Sequence, residues 1–136
     1  MVAWNAQTMG MDIEVIDHQH QRLIQIINEL EWAIQEKPFD REKLKEVLGS
    51  MFDYAYYHFQ TEEFYLDKFN YPGIVSHKNE HRYFIERYQM LIKLFNTDDD
   101  YLEIAKDAQE FLENWLVSHI CGTDQGYAAL FKEHGM

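Results

Sequence analysis

The sequence predicts an all-α fold, an up-down-up-down antiparallel four-helix bundle, on three observations. Four long segments each carry apolar residues at the spacing of one helix face. The connections between them are short and hold residues that end or cap helices, such as Pro38 and Asp40. No segment shows the apolar-polar alternation of a β-strand. Long amphipathic helices with short connections favour antiparallel neighbours, and the 136 residues suit one domain with its own core.

The N-terminal half is predicted to contain an arm and two helices. Residues 1–11 lack a helical period and are interpreted as an extended arm, from which Trp4 can pack back onto the body. The first helix spans about 12–37 and ends before Pro38, because the residue preceding a proline avoids the α region. Its apolar stripe includes His20, whereas His18 lies off the stripe and is expected in solvent. The second helix spans about 41–69, with Asp40 as its N-cap.

The C-terminal half is predicted to contain two more long helices and a short one. A compact turn at 70–73, with Pro72 and Gly73, precedes a third helix at about 74–95. The acidic turn at 96–100 leads into a fourth helix at about 99–120, since acidic residues suit the positive end of a helix. A short final helix is expected at about 124–133, so that one domain covers 1–136.

Charge and composition exclude several classes of partner. The net charge of −12 argues against nucleic acid, which requires a basic face, and against anionic lipid. Cys121 is the only cysteine, so no disulfide can form within the chain. No signal peptide and no apolar run of membrane-spanning length is visible. We therefore expect a cytoplasmic protein without membrane insertion, and a monomer.

Two pairs of titratable residues interrupt the apolar stripes of the second and third helices. His58 and Glu62 are four residues apart, as are His77 and His81, so each pair shares one helix face. Burying such groups without partners costs roughly 2 kcal/mol or more per group. Either the histidines bond to carboxylates as ordinary core residues, or a metal compensates the cost. Each pair alone leaves both interpretations open.

Further polar residues join these pairs at one end of the predicted bundle. His20 lies early in the first helix, and His119 lies late in the fourth with Asp124 just beyond. Because alternate helices run in opposite directions, all of these positions converge. Independent satisfaction of five core histidines at one level becomes the less favoured interpretation. The predicted metal ligands are His20, His58, Glu62, His77, His81, His119 and Asp124.

The donor set favours two transition-metal ions. Structural zinc takes four ligands, usually with cysteine, and calcium or magnesium prefers oxygen donors. Imidazole suits iron, and Glu62 and Asp124 can bridge two six-coordinate ions, which leaves one position open for a small ligand such as O2. The five-residue spacing from His119 to Asp124 requires a π-type turn or an unwound helix end, which Gly122 permits.

The motifs Asp17-His-Gln-His20, His58-x3-Glu62, His77-x3-His81 and His119-x4-Asp124 resemble those of the hemerythrin family, and particularly its single-domain bacterial branch, the bacteriohemerythrins. The resemblance covers essentially the whole chain. It implies a non-heme di-iron centre with an oxo or hydroxo bridge that binds O2 reversibly. By analogy, His77, His81 and His119 hold one iron. His20 and His58 hold the other, which keeps the open position, and Glu62 and Asp124 bridge the two.

Several residues near the predicted ligands are candidates for supporting roles. Leu23, Trp115 and Ile120 are predicted walls of an O2 pocket; ordinary core packing is the alternative, and both roles can hold together. Asp17 either orients His20 or complements the helix dipole. Tyrosines that could hydrogen-bond to ligands are Tyr54, Tyr65 and Tyr88.

The resemblance favours O2 binding for storage, transport or delivery, without turnover of a substrate, so we do not expect an enzyme. A separate O2-accepting protein is compatible with the sequence but is not identified by it. The first alternative is sensing of O2, nitric oxide or redox state through a partner protein. The second is a di-iron oxidase, which is disfavoured because the Glu-x-x-His motif of ferritin-like sites does not occur.

Overall fold

The computed structural model describes residues 1–136 and shows the predicted all-α bundle. The four main helices are α1 (Glu14–Gln35), α2 (Arg41–Lys68), α3 (Ile74–Thr97) and α4 (Tyr101–Phe111). Distorted helical turns extend α4 towards a final short helix, α5 (Ala128–Glu133). Helix α1 packs on α2, α2 on α3 and α3 on α4, and α4 returns to α1 and closes the bundle. None of the helices combines the length and the apolar character needed to cross a lipid bilayer.

The observed helix ends differ from the sequence-based boundaries by a few residues, for local reasons. Helix α1 begins at Glu14 rather than at Asp12, because Asp12 adopts a left-handed conformation with φ 57°. It ends at Gln35, since Glu36 is already extended ahead of Pro38. The predicted cap of α2 is confirmed: an Asp40 carboxylate oxygen accepts from the Lys43 amide at 3.2 Å. Helix α3 continues to Thr97, two residues beyond the predicted end.

The segment after α4 departs most from a regular helix. It turns with π-helical geometry at Leu112–Leu116 and again at His119–Thr123, and then as a 3₁₀-helix at Asp124–Tyr127. The sequence predicted a distortion between His119 and Asp124, and the second π-helical turn supplies it. The first π-helical turn was not expected. A Cβ atom on Gly122 would meet nothing within 4 Å, so the distortion does not depend on glycine there.

The N-terminal arm is fastened to the bundle rather than fully extended. The Val2 amide donates to the Asn28 side chain at 2.9 Å, and the Asn28 amide group donates back to the Val2 carbonyl at 2.8 Å. Trp4 packs against the main apolar core, as expected. A helical turn precedes α1, and a Cβ on Gly10 would collide with the Ala6 carbonyl oxygen, so this turn requires glycine.

A polar layer divides the bundle interior into two apolar regions. Along α1, Ile16 belongs to the smaller apolar cluster and Leu23 to the larger one, with buried His20 between them. Along α2, Phe59 and Leu66 flank Glu62 in the same manner. The polar residues therefore form a layer with apolar packing on both sides, which keeps bulk water away from it.

Candidate metal centre

The structure brings all seven predicted ligand residues together in this polar layer. None of them is more than 2% exposed, and two carboxylates and five imidazoles share the same interior. Isolated charges and unpaired polar groups are not buried in this number without compensation. The residues are His20, His58, Glu62, His77, His81, His119 and Asp124.

Helix geometry explains how these side chains meet. His58 and Glu62 lie one turn apart on α2, and His77 and His81 lie one turn apart on α3. His119 and Asp124 are separated by five residues, the repeat of a π-helical turn rather than of an α-helix. As a result, His119 Nε2 lies 2.9 Å from an Asp124 carboxylate oxygen. The π-helical turn therefore aligns the last two members of the set.

The seven residues form two overlapping groups that share only the two carboxylates. One group contains His77, His81 and His119 with Glu62 and Asp124, and the other contains His20 and His58 with the same two acids. In each group one possible donor atom per residue lies within 4.8 Å of all the others. Two metal positions joined by two carboxylates fit this arrangement.

Each carboxylate directs its two oxygens to different sides of the layer. One Glu62 oxygen lies 2.6 Å from His58 Nε2, and the other lies 3.2 Å from His77 Nε2. One Asp124 oxygen lies 2.9 Å from His20 Nε2, and the other lies 3.1 Å from His77 Nε2. This is the geometry that a bridging carboxylate needs.

The protein alone does not satisfy these buried atoms. His20 Nε2, His58 Nε2 and both Asp124 oxygens make no hydrogen bond of ordinary geometry. Each of these atoms nevertheless lies within 3.1 Å of a carboxylate oxygen or an imidazole nitrogen of the cluster. The Nε2 atoms of His81 and His119 face each other at 3.1 Å. Buried polar atoms normally have partners. These nitrogen and oxygen atoms therefore need a partner that accepts electron pairs. Transition-metal ions meet that requirement, and the residues fit such ions.

The ionisation of the cluster also suits a cation. Burial raises the pKa of Glu62, but the close imidazoles of His58, His77 and His81 outweigh it and hold this pKa well below its usual range. Burial opposes ionisation of Asp124 too, yet contacts with His119 and His20 lower the pKa of this carboxyl. Burial lowers the pKa of His58. The two acids therefore keep their negative charge in the interior.

Three polar residues that were not predicted lie beside the outer nitrogens of the histidines, and two of them form hydrogen bonds there. His58 Nδ1 lies 2.6 Å from the Gln19 side-chain oxygen, and His81 Nδ1 lies 2.9 Å from a Glu63 oxygen. A Glu80 oxygen lies 3.8 Å from His119 Nδ1. The hydrogen bonds to Gln19 and Glu63 fix the orientation of the His58 and His81 rings and leave their Nε2 atoms free for a metal. The available signal was adjacency, since Gln19, Glu63 and Glu80 each neighbour a predicted ligand in the sequence.

Two of the proposed supporting roles are corrected by the structure. Asp17 accepts from the Met11 amide at 2.9 Å, and His20 Nδ1 has no hydrogen-bond partner, so Asp17 does not orient His20. Tyr88 donates to the Leu48 carbonyl and not to a ligand.

Tyr127 is the tyrosine that lies beside the centre. Its ring is fully buried 5.5 Å from that of His77. Burial, with the charges of Glu62 and Asp124, raises the pKa of its hydroxyl well above the usual value. Tyr54 and Tyr65 were the predicted candidates, and neither hydrogen-bonds to a ligand histidine or carboxylate in the structure.

The predicted pocket residues lie on one side of the polar layer. Leu23 and Ile120 are fully buried in the larger apolar cluster. Trp115 is half-buried and stacks on His119, with ring centroids 4.7 Å apart and an angle of 11° between the planes. Phe59 stacks on His81 in the same way at 4.0 Å. Their role as walls of an O2 pocket stays a prediction.

Comparison with known proteins identifies this arrangement. The model of the hemerythrin HHE cation binding domain matches residues 11–131, which include all seven ligand candidates. The chain belongs to the hemerythrin family. As a hemerythrin, it has a buried His/Glu/Asp cluster suited to binding metal cations.

Relatives of similar length support the assignment. The chain is 33% identical to a bacteriohemerythrin of Stenotrophomonas maltophilia over 134 residues, covering 98% of this chain and 84% of the relative. It is 28% identical to a bacteriohemerythrin of Methylococcus capsulatus, covering 93% and 94% of the two chains. A wild-type hemerythrin crystal structure superposes with a TM-score of 0.86 at 27% identity, covering 96% of this chain and 97% of that one.

Proposed function

We propose that this hemerythrin binds O2 reversibly at a non-heme di-iron centre, for oxygen storage, transport or delivery. The observation that carries the proposal is the overlap of a five-residue and a four-residue donor group through two shared carboxylates. With one oxygen bridge between the metals, the larger group reaches six donors and the smaller group reaches five. One coordination position then stays open, which is what a reversible ligand needs.

The residues divide between two irons in this proposal. His77, His81 and His119 hold the complete position, and His20 and His58 hold the open one. Glu62 and Asp124 would bridge both irons, and an oxo or hydroxo group would complete the centre. When bound, the irons supply the open position and the electrons that O2 binding requires.

The protein's own contribution is to position the donors and to exclude water. Apolar clusters lie on both sides of the polar layer, and Leu23 and Ile120 are fully buried there. Exclusion of water limits the proton transfer that would release reduced oxygen and leave the irons oxidised. We therefore assign Leu23, Trp115 and Ile120 as pocket walls.

Binding without turnover is favoured by the donor chemistry. Five neutral imidazoles and two carboxylates provide less negative charge than the carboxylate-rich ferritin-like sites. Less negative charge gives less support to high oxidation states of iron, which an oxidase needs. We further propose that the protein is not an enzyme and works as a cytoplasmic monomer.

Cycles of oxygenation test this function. Iron-loaded protein, reduced without oxygen, should be colourless, turn pink to violet in air and lose that colour when O2 is removed. Slow autoxidation over repeated cycles would favour storage or delivery, whereas rapid autoxidation would favour sensing through a partner. Irreversible bleaching to a yellow oxidised form in the first cycle would contradict reversible binding.

A further inference from the structure

The residues behind the histidine rings form an ordered series around the bundle. Gln19 on α1 contacts His58 on α2, and Glu63 on α2 contacts His81 on α3. Glu80 on α3 then faces His119 in the segment that follows α4. Helices α1 and α2 therefore each supply an acceptor for a histidine on the next helix, and α3 places a carboxylate near His119. Each of the three residues directly neighbours a ligand candidate of its own helix.

The series carries different charge on the two sides of the centre. The acceptor for His81 is the carboxylate of Glu63, and the carboxylate of Glu80 lies 3.8 Å from His119 Nδ1, too far for a hydrogen bond. The acceptor for His58, on the opposite side, is the neutral amide of Gln19. His20, the other histidine of that side, has no acceptor at Nδ1. Two carboxylates therefore lie behind the rings of one metal position, whereas no carboxylate contacts an Nδ1 atom on the other side.

Neighbouring contacts hold this difference in place. Gln19 is 4% exposed, and its amide nitrogen lies 3.3 Å from the Thr61 hydroxyl, which turns its oxygen towards His58. Thr123 donates its hydroxyl to Glu80 at 3.0 Å, within the π-helical turn that also carries His119. Gln19 and Glu80 are therefore each held in place by a second side chain.

We propose that Glu63 and Glu80 are positioning residues that make the position of His77, His81 and His119 the more electron-rich of the two, so that its metal is oxidised first. The inference rests on the di-iron centre proposed above. An Nδ1–H group that donates to a carboxylate makes the imidazole a stronger donor. A nearby negative charge also stabilises Fe(III) relative to Fe(II), since the attraction grows with the charge of the ion.

A redox titration without oxygen tests this assignment. Ferricyanide accepts one electron as each Fe(II) becomes Fe(III), and Mössbauer spectra follow the two irons. In wild type the two oxidations should occur at separate potentials. Glu63→Gln keeps a hydrogen-bond acceptor but removes its charge. It should shift the first oxidation equilibrium at least tenfold towards Fe(II), which is 59 mV for one electron.

Two further variants distinguish the effect of a charge beside the centre from the effect of the protein's net charge. Glu86→Gln removes the same charge from an exposed position on α3 and should leave both potentials unchanged. Glu80→Gln should shift the first oxidation in the same direction as Glu63→Gln, by less, because Glu80 lies farther from its histidine. In zinc-loaded protein, the NMR signal of the His81 Nδ1 proton should move on Glu63→Gln only.

Three results would overturn the proposal. Equal shifts of the first oxidation potential in Glu63→Gln and Glu86→Gln would show that the net charge of the protein, and not the position of Glu63, causes the effect. Two separate potentials that neither Glu63→Gln nor Glu80→Gln moves would exclude these residues as the cause, while leaving the di-iron centre intact. A wild-type protein that does not bind two irons would remove this inference together with the proposed function.

Discussion

At the scale of single residues, Glu62 and Asp124 decide whether one metal site or two can form. A histidine presents one nitrogen to the interior, but each of these carboxylates presents one oxygen to each side of the layer. They are also the only members common to both donor groups. Loss of either acid should therefore affect both metal positions together.

Replacement of Glu62 by Ala tests the shared role. The variant should hold clearly fewer than two irons per chain, because both positions lose a ligand at once. Metal analysis after iron loading measures this, with Glu103→Ala as a control that removes an exposed acid on α4. An unchanged content of two irons in Glu62→Ala would contradict the assignment.

Metal affinity should depend on pH through His77. In chelator-treated protein, burial lowers the pKa of His77, but contacts with Asp124 and Glu62 outweigh it and raise this pKa from 6.5 to about 10. A metal must displace that proton, so the affinity for Co²⁺ should rise between pH 6.5 and 10.

The stability of the chelated protein should change in the opposite direction over the same range. A raised pKa stabilises the folded state below pH 6.5, and this contribution is lost as pH approaches about 10. Urea unfolding and Co²⁺ titration at several pH values measure both trends. A Co²⁺ affinity that does not vary over this range would contradict the protonation assigned to His77.

Sequence reasoning reached the seven ligand candidates but missed the residues behind them. The ligand candidates are recognisable because their titratable side chains interrupt apolar stripes, which is a local sequence pattern. Gln19 supports His58 across 39 positions of the chain, so its role depends on how α1 and α2 rotate against each other. That rotation is a property of packing and cannot be read from a local sequence pattern.

At the scale of secondary structure, the π-helical turn at His119–Thr123 is the decisive local feature. It aligns His119 with Asp124, and the five-residue spacing made such a distortion predictable. The earlier π-helical turn at Leu112–Leu116 was not predictable, because its apolar pattern is compatible with a regular helix. Helix ends were less well predicted than helix positions, as the left-handed Asp12 illustrates.

The contact between α2 and α3 offers a test that does not involve the centre. The fully buried Tyr88 hydroxyl donates to the Leu48 carbonyl at 2.9 Å. Tyr88→Phe should lower the free energy of unfolding by about 1 kcal/mol, the usual contribution of one hydrogen bond, and leave the iron content unchanged. Urea unfolding measures it against Tyr83→Phe, an exposed tyrosine of the same helix. Equal stability of wild type and Tyr88→Phe would show that this hydrogen bond contributes nothing.

At the scale of the whole molecule, the bundle interior consists of two apolar regions with a polar layer between them, and the buried atoms of that layer lack partners that a cation could supply. The layer arises because α1, α2, α3 and the segment after α4 bring their polar residues to the same level of the antiparallel bundle. The class of fold was predictable from apolar periodicity and short connections. The closing of the layer by apolar residues on both sides became visible only in the structure.

Metal removal should therefore weaken the whole fold. Metal that binds only the folded chain stabilises it by about 2.7 kcal/mol when its free concentration is a hundred times the Kd. A chelator should lower Tm, and restored iron should raise it again. Differential scanning calorimetry measures both steps, and a Tm that is insensitive to the chelator would argue against metal binding within the core.

The ratio of iron to bound O2 tests the central claim most directly. Metal analysis and gas-uptake measurement on the same reduced sample should give two irons and one O2 per chain, with the O2 recovered when the oxygen pressure is lowered. That ratio follows from one complete and one open metal position. Zinc in place of iron, one iron per chain, or O2 consumed without recovery would contradict a reversible di-iron centre.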